Sequence, residues 1–196
     1  MSLLIDDDIE IKKQCWPIID RLADVILTYV QGCLVEIGVG YSTQIFAKYS
    51  KKYNRKYYGC DRSGGRIEFQ KQQEYTHDGM EFFHGMSSTF MDQFEDTPAM
   101  MLIDGNHFAV VVREEVHFFI ERMAVGGVIF MHDTMPREGR YEKKLIKKNK
   151  EMDTYKVRQE LVHMPHIETF TWPYSSGECG LTMVLKKDMS RKFYRL

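Results

Sequence analysis

Glu36-Ile37-Gly38-Val39-Gly40-Tyr41-Ser42-Thr43 is the stretch on which the reading of this chain turns. It follows Cys33 to Ile37, an apolar run that reads as a buried strand, and opens Thr43 to Lys51, which reads as a helix. Strand, glycine turn and helix in that order are the setting of a cofactor-binding turn. Gly38 and Gly40 carry no side chain, so the backbone can bend sharply and a ligand can approach it, while the helix start supplies N–H donors. Glu36, at the strand end, can accept from a ligand ammonium. A plainer alternative stays open, in which the glycines only make a tight connection.

Working outward, the pattern alternates. Lys56 to Cys60, Met80 to His84, Met100 to Ile103 and Val128 to His132 read as further strands. Helical stretches from Ile67 to Tyr75, Ser87 to Phe94 and Phe108 to Met123 separate them. Such alternation predicts an α/β fold with a parallel sheet covered on both faces. After a helix from Tyr155 to Val162, the strands His166 to Trp172 and Leu181 to Lys187 are joined by so short a segment that they form an antiparallel hairpin. The expected architecture is a Rossmann-like, doubly wound sheet of seven strands, mostly parallel, closed by that hairpin. Residues 1–32 form an N-terminal helical segment in which Pro17 breaks or starts a helix, and residues 33–196 form the main domain.

Asp61 lies at the end of the second strand, in Tyr57-Tyr-Gly-Cys-Asp-Arg62. A carboxylate there can accept from both hydroxyls of a ribose; alternatively it caps the next helix. Glu36, Gly38, Gly40 and Asp61, with the closing antiparallel pair, resemble the class I S-adenosylmethionine-dependent methyltransferases over about Leu34 to Lys187. The resemblance implies that Glu36 helps hold the methionine part, that the glycines pass under the cofactor and that Asp61, with Arg62 beside it, binds ribose. Phe83-His-Gly-Met-Ser87 matches the place where such enzymes approach adenine. Ser42 stands where a third glycine often falls and can cap the helix instead.

Two more aspartates close strands: Asp104 in Met101-Leu-Ile-Asp-Gly-Asn-His107 and Asp133 in Ile129-Phe-Met-His-Asp-Thr134. Neighbouring strands lie about 4.8 Å apart, so the two carboxylates would face each other beside the cofactor. Either a proton or a cation must relieve their repulsion, and hard oxygen donors suit Mg2+ or another hard divalent ion. The pair resembles the metal-dependent small-molecule O-methyltransferases, especially the macrocin type acting on sugar hydroxyls, which often carry two consecutive aspartates where this chain has His132-Asp133. By that resemblance Asp104 and Asp133 hold the metal, Asp104 also borders the cofactor and acts in catalysis, and His107 takes the acceptor's proton. Helix capping by Asp104 and a structural His107 are the alternative.

Composition fits this reading. Over 196 residues, 43% hydrophobic and 28% charged residues describe one folded domain and exclude a disordered or fibrous class. A net charge of -1 gives no field to draw the chain onto nucleic acid or a membrane, and nucleic acid is disfavoured as a partner. No apolar run approaches the roughly 20 residues of a membrane span, and the N-terminal stretch has no export-signal pattern. Four scattered cysteines (Cys15, Cys33, Cys60, Cys179) read as reduced thiols, so a cytoplasmic location is expected. The basic run from Arg140 to Lys150 reads as a solvated face. The sequence reading is thus methyl transfer to a hydroxyl of a small-molecule acceptor, with a homo-oligomer left open. Its rivals are an inactive cofactor-binding scaffold and a nicotinamide-dependent oxidoreductase.

Overall fold

The computed structural model describes residues 15–135, 153–172 and 180–190. Its seven strands are β1 (Cys33–Ile37), β2 (Tyr57–Asp61), β3 (Met80–His84), β4 (Pro98–Ile103), β5 (Val128–His132), β6 (Ile167–Trp172) and β7 (Leu181–Lys186). They lie in one sheet in the order β3-β2-β1-β4-β5-β7-β6. The first five are parallel; β7 runs antiparallel between β5 and the edge strand β6. This is the doubly wound, Rossmann-like sheet expected, with its closing antiparallel pair.

Helices α1 (Trp16–Tyr29) and α2 (Thr43–Tyr53) cover one face, where Ile19, Leu27 and Phe46 pack on Leu34, Met100, Leu102 and Phe130. The other face carries α4 (Ser87–Asp92), α5 (Ala109–Arg122) and α6 (Thr154–Leu161), whose Phe90, Val112, Phe119 and Leu161 meet Val35, Met101, Ile103 and Ile129. Between α2 and α4, α3 (Gly64–Lys71) lies along β2 and β3. Because β4 sits at the centre with both faces covered, all six of its residues are buried, which explains its uninterrupted apolar sequence.

Local chemistry sets the element ends. Pro17 falls in the first turn of α1, where a missing N–H costs nothing, so it starts the helix rather than breaking it. Any short helix before it lies outside the described residues. The second helix runs past Lys51 to Tyr53 and stops at Asn54, in the left-handed region at φ 50°. Ser63 caps α3 by accepting from the Arg66 amide at 3.3 Å. The basic run 140–150 and residues 173–179 lie outside the described residues. Among those described, no helix is long and apolar enough to cross a membrane, and Cys15, Cys33 and Cys60 are buried free thiols.

Candidate active site

The sheet order reverses between β1 and β4, and ligands of open α/β sheets bind beyond the strand ends at such a switch point. A cavity of about 840 Å³ opens there, large enough for a nucleoside-sized ligand. Of the residues singled out in the sequence, Gly38, Asp61, Arg62, Ser87 and His107 line it. Glu36, Gly40, Ser42, Asp104 and Asp133 stand behind or beside its wall.

Gly38 has φ +92°, and a Cβ there would lie 2.5 Å from the Asp104 carbonyl oxygen. The turn therefore needs glycine to pass over the end of β4. Glu36 is fully buried. It accepts from the hydroxyls of Ser42, of Thr43 at 2.8 Å and of Tyr57 at 2.5 Å. Burial pushes its carboxyl up to about 7, against the pull of those hydroxyls. Thr43 Oγ1 in turn accepts from the Gly40 amide at 3.0 Å, and Gln70 donates to the Gly40 carbonyl at 3.1 Å. Two expectations are corrected here. Glu36 meets the turn's own hydroxyls rather than open space for an ammonium, and the Ser42 hydroxyl goes to Glu36 rather than capping α2. A carboxylate at full burial needs all its acceptor sites filled, and the adjacent hydroxyls fill them.

Asp61 is 8% exposed and keeps to the cavity wall. Its Oδ1 accepts from the Ser63 amide at 2.7 Å, and Oδ2 lies 3.5 Å from the largely exposed Arg66 guanidinium. That pair is weak in solvent, which leaves carboxylate lone pairs to meet a diol.

At the other end, the register of β4 on β5 pairs Ile103 with Met131. One step further, Asp104 therefore meets His132, not Asp133. The expectation that the two carboxylates face each other is corrected by this offset. His132 Nδ1 lies 2.9 Å from Asp104 Oδ1, an ion-pair contact off the direction of a good hydrogen bond, and 3.6 Å from Asp133 Oδ1. Burial works against the charged imidazole, but the Asp104 carboxylate and the Cys15 side chain outweigh it and hold His132 well above its ordinary value. Trp16 stacks on the ring with centroids 5.4 Å apart. His107, one-quarter exposed, places Nδ1 3.6 Å from Asp133 Oδ2. Asp133 itself holds φ +56°, a conformation rare outside glycine and concentrated at functional sites. Thr134 beside it is fixed by the Thr182 hydroxyl of β7 at 2.8 Å.

These donors do not fit a divalent cation. An imidazole carrying positive charge stands between the two carboxylates, and among the described residues no group of three His, Cys, Asp or Glu side chains can hold a metal. The repulsion that called for a cation is met by His132 instead.

Glu115, on α5, escaped the sequence reading although a signal was present. Val112, Val116 and Phe119 mark the buried face of that helix, and Glu115 falls on it at helical spacing. Cys15 and Trp16 could not be placed without knowing that the start of α1 lies against the end of β5, where Trp16 stacks on His132.

A family model described as a methyltransferase domain matches residues 35–134, from β1 to the end of the β5 motif. No curated protein sequence matches the chain. Among solved structures, an O-methyltransferase from Bacillus cereus in complex with SAH (S-adenosylhomocysteine) superposes with a TM-score of 0.67 at 15% identity, over 88% of this chain and 80% of that one. TomG from Streptomyces achromogenes, an O-methyltransferase involved in tomaymycin synthesis and solved with SAM, gives 0.65 at 14%, over 88% and 80%. An rRNA methylase from Streptococcus thermophilus gives 0.61 at 14%, over 86% and 95%. At these identities the likeness is one of fold.

Proposed function

The chain belongs to the methyltransferase-domain family, and from that premise we propose that it transfers the methyl group of S-adenosylmethionine to a hydroxyl of a small-molecule acceptor, without a metal. The observation that carries this reading is the pairing of His107 with Asp133 at the rim of the cavity that Asp61 and Gly38 line. In this reading Asp61 and Arg62 bind the ribose and Gly38 lets the cofactor lie against the backbone, which their shared position in the cavity wall supports. The Glu36 network acts behind them, holding the turn in shape. It also argues against a nicotinamide cofactor, since the Gly40 amide that a pyrophosphate would seek is already bonded to Thr43.

When bound, S-adenosylmethionine supplies an electrophilic methyl on a positively charged sulfur. His107 takes the proton of an acceptor hydroxyl held beside it, so that the oxygen could receive the methyl that the bound cofactor would supply, the cofactor then leaving as a neutral thioether. Asp133 stabilises the imidazolium, and holding the groups in line supplies much of the acceleration. A polyol such as a sugar suits the polar group formed by Asp104, His132 and Asp133 beside His107, which offers both donors and acceptors. Absence of the fourth-strand Asn/Asp-Pro-Pro-Tyr signature, replaced here by Ile103-Asp-Gly, favours oxygen over base nitrogen as acceptor.

The test is transfer of labelled methyl from S-adenosylmethionine across a panel of sugars, catechols and other small alcohols. Incorporation that His107→Ala abolishes supports the reading. Cofactor binding with no transfer to any hydroxyl would favour the inactive scaffold instead.

A further inference from the structure

Glu115 has no part in the reading given so far, yet it is the most costly side chain in the site. It is fully buried, and among the described residues neither carboxyl oxygen has a hydrogen-bond partner. Native proteins rarely leave such a group unpaired unless something else completes it. Its surroundings show where that completion would come from, because Glu115 lies in the wall of the 840 Å³ cavity with Met86, Ser87, Phe108 and Val111. Burial pushes its carboxyl up to about 7, with only the Ser87 hydroxyl near enough to hold it back.

The chemistry of this end is specific. Met86, Phe108 and Val111 give apolar surface, and Glu115 gives a desolvated acceptor. A phosphate would be repelled by the carboxyl, and a sugar would leave several hydroxyls unpaired against those apolar side chains. A flat heteroaromatic ring bearing an amino group satisfies both features. We propose that Glu115 accepts a hydrogen bond from the exocyclic amino group of the cofactor's base, adenine N6, so that α5 contributes a selectivity-determining residue to cofactor binding. This rests on the S-adenosylmethionine reading above.

Calorimetry with two probes, S-adenosylhomocysteine and its 6-deamino analogue, tests it. The native chain binds the deamino ligand roughly tenfold or more weakly, the loss expected when a buried charged acceptor goes unpaired. Glu115→Leu weakens S-adenosylhomocysteine binding by a similar factor and binds both probes alike, because no acceptor remains to tell them apart. Glu115→Gln keeps a carbonyl acceptor and restores the preference. Equal binding of the two probes by the native chain, or full discrimination in Glu115→Leu, overturns the role of Glu115 and leaves the cofactor reading standing. Failure of the native chain to bind either probe overturns both. If Glu115→Leu does not fold, the native chain and Glu115→Gln still decide.

Discussion

The two ends of the site answer one problem, a carboxylate at a strand terminus, in opposite ways. At β1, Glu36 is surrounded by the neutral hydroxyls of Ser42, Thr43 and Tyr57 and sealed from the cavity. At β4 and β5, Asp104 and Asp133 are set against imidazoles, and His107 and His132 keep about a quarter of their surface open. Hydroxyl donors hold a geometry; the His107 imidazole can also take a proton, while His132 already meets the charge of Asp104. The first arrangement suits a turn that must keep its shape, and the second suits a place where a proton moves.

The largest expected break in that contrast is at the β5 end. His107→Ala should lower the rate of methyl transfer by a factor on the order of 10² to 10⁴, the usual worth of a general base, with S-adenosylhomocysteine affinity unchanged by calorimetry. A parallel loss of affinity would make His107 a binding residue instead.

Next comes stability against pH. The Glu115 carboxyl sits near 7 in the folded chain against an ordinary 4.5. The folded state thus holds its proton more tightly, and its contribution to stability, complete below about 4.5, is lost as pH rises to about 7. Glu115→Gln removes this dependence, so its advantage over the native chain should grow by about 3 kcal/mol between pH 4 and pH 8, read from denaturant melts without ligand. A constant difference across that range would mean that Glu115 finds a partner in solution.

Asp61→Asn should weaken S-adenosylhomocysteine about tenfold to a hundredfold, since a hydrogen bond to a charged acceptor is worth about 1.5 to 3 kcal/mol. An unchanged affinity would move the ribose elsewhere. Smallest of all is the effect of a chelator: excess EDTA should leave methyl transfer at its full rate, because His132 already meets the charge of Asp104. Activity lost to EDTA and restored by Mg2+ would return the two carboxylates to a metal.

Periodicity made the sheet and its covering legible, because β1 and β4 are buried on both faces and their apolar runs follow directly from that. Gly38 and Asp61 were legible for a related reason: a turn and an acid at consecutive strand ends are fixed by local order along the chain. What could not be read was register. The sequence places Asp104 and Asp133 at two strand ends but cannot say that Ile103 stands opposite Met131, and on that single offset rests the exchange of a metal pair for an Asp104–His132 contact. Nor could it show that the Ser42 hydroxyl turns back to Glu36, a choice made by burial.

The cavity that Gly38, Asp61 and His107 line is expected to receive S-adenosylmethionine. Isothermal titration of the purified chain with S-adenosylhomocysteine tests it most directly. One site per chain, weakened by Asp61→Asn and indifferent to EDTA, is the predicted result, whereas no heat of binding at any ligand concentration up to the millimolar range would contradict it.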